Sequence, residues 1–154
     1  MKRTTILILF ALALLFGTRD AAAQNAIGAN VGYDIDAEEW FAGAQFRFAP
    51  SGLPVIINPS IETFFVDGFT WLHFDLNALY PFGVNNSTFT PYAGAGLGLD
   101  YIKPENGDGN TDAGLNLLFG ANFGMGRIQP FAEARIRIDS EVGVAVRGGI
   151  LLGI

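Results

Sequence analysis

Phe69-Thr70-Trp71-Leu72-His73-Phe74-Asp75-Leu76-Asn77-Ala78-Leu79-Tyr80-Pro81-Phe82 decides how this chain folds. Every second residue from Leu72 is apolar (Leu72, Phe74, Leu76, Ala78, Tyr80, Phe82), and His73, Asp75 and Asn77 fall between them. A period of two is the signature of a β-strand with one apolar and one polar face. Just upstream, Asp67-Gly68 has the chemistry of a two-residue hairpin turn. Such a turn fixes the register of the preceding segment, so that the residue numbers of cross-strand partners sum to 135. Phe64 then faces Trp71, Glu62 faces His73, Ser60 faces Asp75, and Asn58 faces Asn77.

The same alternation recurs through residues 27–36, 40–50, 55–67, 89–103, 112–126, 128–139 and 141–154, which with 69–82 makes eight segments. Turn-rich connectors separate them: Pro50-Ser51-Gly52, Gly83-Val84-Asn85-Asn86, Pro104 to Thr111, and Asp139-Ser140-Glu141. The expected fold is therefore all-β, an eight-stranded antiparallel up-and-down barrel whose even strand count lets it close on itself. The longest uncharged stretch, Leu76 to Leu99, is no transmembrane helix, because Pro81, Pro91 and three asparagines interrupt it. Pro59, Pro91 and Pro130 each remove a ladder donor and are expected near the rims or at bulges.

Which face points outward follows from three features. In the bodies of the segments the apolar face carries no Asp, Glu, Lys or Arg. Of the 14 glycines inside the segments, 13 lie on the opposite, polar face, and only Gly148 lies on the apolar one. A narrow eight-stranded barrel must relieve its inward face of bulk to admit long charged side chains, whereas a solvent-facing surface has no such need. Aromatics also cluster at the ends of the apolar face, with Tyr33, Trp40, Phe65 and Tyr101 at one end and Phe48, Tyr80, Phe82 and Phe89 at the other. Paired aromatic girdles belong to a transmembrane barrel with its apolar face against lipid and its polar face in the lumen. The alternative is a soluble secreted lipid-binding barrel with the faces reversed.

Composition is consistent with export. The 154 residues make one domain's worth of chain. The absence of Cys excludes disulfides, thiolate metal sites and a cysteine nucleophile. Lys2 and Arg3, the apolar run Ile6 to Phe16, and Ala21-Ala22-Ala23 before Gln24 form the n-region, h-region and cleavage site of a signal peptide over residues 1–23, the alternative being an N-terminal membrane anchor. The barrel domain is then 24–154, with six basic and 14 acidic residues and a net charge of −8. Such a chain is poorly suited to bind a phosphate backbone, so no nucleic-acid partner is expected.

A signal peptide, eight amphipathic strands, the Gly-rich segment Pro91-Tyr92-Ala93-Gly94-Ala95-Gly96-Leu97-Gly98-Leu99 and a terminal strand together resemble the small eight-stranded outer-membrane β-barrels of Gram-negative bacteria, of the OmpA-transmembrane and opacity-protein type. The resemblance covers essentially the whole mature chain. It implies the cell outer membrane as location and outer-membrane lipid as surroundings, with a structural or surface-interaction role. One departure is the terminal Ile154, where such barrels usually end in an aromatic residue read by the assembly machinery.

The candidate functional residues all lie on the polar face. Arg47, Glu62, His73, Asp75, Glu133, Arg135, Arg137 and Arg147 form a near-balanced charged set. A three-residue turn at 139–141 places Glu133 opposite Arg147. Buried charges are tolerated when paired, so a lumenal network that plugs a monomeric barrel is the expected role. The competing possibilities are a narrow pore or hydrophobic-solute conduit, and a lipid hydrolase built on Ser60, His73 and an acid, as in the barrels that deacylate lipid A. Against the enzyme, these residues face the lumen while a lipid substrate approaches from outside; no catalytic residue, cofactor or bound metal is expected. With strand 1 rising from the periplasm, the outer connections 34–40, 66–69, 103–112 and 138–142 hold Asp34, Asp36, Glu38, Glu39, Asp67, Glu105, Asp108, Asp112, Asp139 and Glu141 against the single Lys103. Divalent cations could bridge this rim to anionic headgroups. Asp108-Gly109-Asn110-Thr111-Asp112 has only the opening spacing of a calcium loop.

Overall fold

The computed structural model describes residues 25–83, 88–124 and 126–154. The segment 1–23, expected from the sequence to be a signal peptide, and most of the 83–86 connector lie outside the described residues. Eight strands follow in chain order: β1 (Ala26–Asp34), β2 (Glu39–Arg47), β3 (Ile56–Phe64), β4 (Phe69–Pro81), β5 (Phe89–Pro104), β6 (Asn110–Phe123), β7 (Ile128–Ile138) and β8 (Val142–Gly153). Each pairs antiparallel with the next, and β8 returns to β1, closing the barrel. Closure removes the exposed edges that an open sheet would present.

The register set by Asp67-Gly68 holds, with Glu62 opposite His73, Ser60 opposite Asp75 and Asn58 opposite Asn77. Gly68 takes the left-handed conformation (φ 77°) that the turn needs. Across the 139–141 turn, Glu133 pairs with Arg147.

Alternation sorts the side chains as the period of two requires. Outward-facing Val31 is 60% exposed, Trp40 61% and Leu76 56%, whereas inward-facing Glu62 is 1%, His73 2% and Asn77 1%. Aromatic pairs band both ends of the outer surface: Tyr33 with Trp40 at the end carrying the β1–β2 turn, and Tyr80 with Phe82 and Phe89 with Phe123 at the other.

Several sequence expectations are corrected. Pro91 and Pro130 sit third in their strands, near a rim, but Pro59 is mid-strand in β3 and in register with Leu76, not at a bulge. The β2–β3 ladder runs from Phe41↔Phe64 to Gln45↔Ser60, lapses opposite Pro59, and resumes as Phe48↔Ile57 in the same register. The missing proline N–H interrupts the ladder without shifting it. Gly124 and Gly126, placed within a strand by alternation, lie in the β6–β7 turn with φ of 105° and 90°. Asn110, Thr111 and Asp112 belong to β6 and pair with Ile102, Tyr101 and Asp100, so the calcium-loop spacing does not become a loop.

The inward face is not purely polar. Ala26, Phe131 and Leu151 cluster together, as do Leu79, Tyr92 and Leu118, and as do Phe41, Phe64 and Ala145. These groups cap and line the space in which the charged side chains meet.

Candidate functional site: the lumenal charge ladder

Arg47, Glu62, His73, Asp75, Glu133, Arg135 and Arg147 are all buried inside the barrel, and Arg137 lies at the rim end of the same set. Together with Asp100 they form one chain of alternating charge. Near the end where β1 begins and β8 finishes, Arg47 donates to Asn122 Oδ1 at 2.8 Å and to the Tyr92 hydroxyl at 3.1 Å, and Tyr92 donates to Glu133 Oε2 at 2.8 Å. Arg147 Nε donates to Glu133 Oε1 at 2.7 Å, and its Nη1 pairs closely with Glu62. Arg135 Nη1 is 2.8 Å from both Glu62 Oε2 and Asp75 Oδ2. His73 links Asp75 to Asp100, with Nε2 and Nδ1 each 2.7 Å from a carboxylate oxygen. Arg137 then joins Asp100 at 2.5 Å to Asp139 at 2.8 Å, where the ladder reaches the rim.

The geometry explains why the strands can hold so much buried charge. Isolated, each ion would be costly to desolvate, but here every carboxylate meets at least one cation and most meet two. Flat guanidinium groups also lie near aromatic faces, Arg47 4.9 Å from the Tyr92 ring centre and 5.0 Å from that of Phe131, and Arg135 5.6 Å from that of Phe41. At the exposed end, the hydrogen bond from Arg137 holds the Asp139 carboxyl below the usual carboxylate range.

Asp100, Tyr92 and Trp71 were not singled out from the sequence. Asp100 is the fourth acid matching the four arginines, and Trp71 Nε1 donates to it at 2.7 Å. Strand parity carried the signal, since Asp100 continues the face of Gly94, Gly96 and Gly98. Its isolation among glycines made it inconspicuous.

The hydrolase arrangement does not form. Ser60 Oγ donates to Asp75 Oδ2 at 3.3 Å, and both ring nitrogens of His73 are engaged by carboxylates, leaving none to accept a serine proton. Glu62, His73 and Asp75 bring potential metal-ligand atoms within 4.8 Å of one another. Arg135 and Arg147 already supply positive charge between these groups, so a metal ion would have to displace guanidinium.

At the rim, a cavity of about 550 Å³ is lined by Asp34, Asp36, Asp112, Asp139, Glu141, Trp71 and Arg137. Beneath it, beside His73, Asp100 and Arg135, is a space of only about 20 Å³. That volume holds about one water. A double-mutant cycle on Glu133→Ala and Arg147→Ala should give a coupling energy of about 0.5–3 kcal/mol in equilibrium unfolding; strictly additive losses would show that the pair is not energetically linked.

No protein-family model matches the sequence, and no curated protein matches it. Solved structures do. The N-terminal β-barrel domain of Pseudomonas aeruginosa OprF superposes with a TM-score of 0.73 at 16% identity, covering 88% of this chain and 100% of that one. Neisserial surface protein A gives 0.72 at 14% identity, covering 88% and 100%. Ail, the attachment invasion locus protein of Yersinia pestis, gives 0.58 at 12% identity, covering 86% and 99%. Identity this low speaks to fold alone, and the fold agrees over nearly the whole of each chain. This chain has the fold of the small eight-stranded outer-membrane β-barrels, with a ladder of alternating charge as its interior.

Proposed function

We propose that this protein is a monomeric outer-membrane barrel with a structural or surface-interaction role, closed to ions and without catalytic activity. The observation that carries this reading is the continuous ladder from Arg47 to Asp139, in which every buried charged side chain of the lumen, among the described residues, is paired with an opposite charge. The exposed apolar outer surface and its two aromatic bands support lipid as its surroundings. The resemblance to solved outer-membrane barrels supports the compartment. Engagement of both His73 nitrogens supports the absence of hydrolysis. The rim acids supply hard oxygen ligands through which divalent cations would tie the barrel to anionic headgroups.

The test is conductance of the refolded mature barrel in planar bilayers, with lipid deacylation assayed in parallel. No stable open level is expected, and no deacylation that depends on Ser60 or His73. A reproducible unitary conductance would favour the pore instead, and activity lost in Ser60→Ala would favour the enzyme. An unchanged melting temperature on adding Ca²⁺ would show that the rim acids do not hold a cation.

A further inference from the structure

Beside the charge ladder runs a second set of buried polar groups that the ladder does not use. Asn30 (4% exposed), Gln45 (3%) and Asn58 (0%) are sealed from solvent, yet neither the oxygen nor the nitrogen of any of the three side-chain amides has a hydrogen-bond partner among the described residues. Asn77 Nδ2, Asn116 Oδ1 and Arg47 Nε share this condition. The atoms are contiguous by register. Asn30 is diagonal to Gln45, because its direct partner is Gly43. Gln45 pairs with Ser60 and is diagonal to Asn58. Asn58 is directly opposite Asn77, whose Oδ1 accepts from Asn116 Nδ2 at 3.3 Å.

A buried amide left without partners costs about 1–3 kcal/mol, and native proteins satisfy nearly all such groups. Five amides in a row could have met the requirement by bonding to one another, but Asn58 and Asn77, although face to face, do not. Of the five only Asn116 reaches the ladder, its Nδ2 donating to Asp75 Oδ1 at 2.5 Å; the ladder's carboxylates are otherwise occupied by arginine, histidine, tyrosine, tryptophan and serine donors. Glycines keep the wall behind them thin: Asn30 Oδ1 and Gln45 Cγ lie 3.2 and 3.3 Å from where a Cβ would sit on Gly43 and Gly28.

We infer that the inner wall of β1 to β4 is a binding site for a file of internal water molecules, each bridging successive amides from Asn30 through Gln45 and Asn58 to Asn77. These amides are neutral and present donors and acceptors in equal number, a chemistry that suits water rather than an ion. Each bound water commonly makes about three hydrogen bonds to groups of this kind. The lumen thus has two sides, one charge-paired, the other neutral and hydrated.

The experiment is water-selective NOE and ROE spectroscopy on the isotope-labelled mature barrel in lipid nanodiscs, read at the side-chain NH₂ groups. Cross-peaks to long-lived water are expected at Asn30, Gln45, Asn58 and Asn77, and in Asn58→Leu those at Gln45 and Asn77 should weaken or vanish. If Asn58→Leu does not fold, Gln45→Leu interrupts the same run and should silence Asn30 and Asn58. Absence of water cross-peaks at these groups in the unmodified barrel, or scalar couplings showing direct hydrogen bonds among the amides of Asn30, Gln45, Asn58 and Asn77 themselves, would overturn the site. Cross-peaks at the neighbours that survive both substitutions unchanged would overturn the shared file.

Discussion

Glu62→Ala is expected to cost the barrel about 3–5 kcal/mol, the usual penalty for removing one partner from a buried ion pair. Glu62 is the central rung: its Oε2 is 2.8 Å from Arg135 Nη1 and its other oxygen pairs with Arg147 Nη1, with no part of the side chain exposed. Removing it leaves two buried guanidiniums facing each other across the gap, with Asp75 and Glu133 to hold them from the far sides. Glu62→Gln, which keeps an acceptor and the volume, should lose less. Asp139→Ala, at the exposed end, should lose no more than about 1 kcal/mol, as surface pairs do. Urea unfolding in lipid vesicles, followed by the loss of heat-modifiable gel mobility, measures all three. Equal losses for Glu62→Ala and Asp139→Ala would show that the ladder does not stabilise the barrel.

Gly149→Ala should destabilise by about 1–3 kcal/mol, the typical cost of overpacking, although a single methyl group is added. A Cβ there would run into the carbonyl oxygen of Ala29, and would lie 2.9 Å from Asn30 Cα and 2.8 Å from Phe131 Cε1. Two of those obstacles are backbone atoms of the paired strand β1 and cannot step aside. Gly143→Ala is the control on the same strand and the same face, where a Cβ would meet only Asp36 Oδ2 at 3.9 Å. There the smaller entropy of the unfolded chain should leave stability unchanged or raised by about 0.4–1 kcal/mol. If both substitutions behave alike, crowding does not explain why glycine gathers on the inward face.

How much of this could be read from residues alone depends on how local the determining physics is. Strand parity is local, so the faces, the strand count and the inward placement of Arg47, Glu62 and Arg135 were legible. Two-residue and three-residue turns fix register over long distances, which made Glu62↔His73 and Glu133↔Arg147 legible as well. Contacts across the lumen are another matter. The bond from Tyr92 to Glu133 and the closure of the ladder through Asp100 depend on strand stagger and side-chain reach, which no turn between neighbouring strands encodes. The apolar residues turned inward, such as Phe41, Leu79 and Leu118, sit on the face that composition marks as polar, and only the enclosed volume shows why they are there. Pro59 shows a limit of a general rule: proline avoids ladder positions, but a closed barrel tolerated one lapse between β2 and β3 because β3 keeps its pairing with β4 through Ile56 to Phe64.

The barrel is turned apolar side out, against lipid. The chain contains two tryptophans, Trp40 on the outer surface, 61% exposed, and Trp71 on the inner one, stacked on Phe64 with ring centres 4.0 Å apart. Fluorescence of single-tryptophan forms, Trp71→Phe and Trp40→Phe, in vesicles of acyl-chain-brominated phosphatidylcholine separates the two faces. Strong quenching of Trp40 by the brominated chains and little of Trp71 are expected. Trp40 unaffected by brominated lipid and freely quenched by aqueous acrylamide would contradict it and point to a soluble barrel.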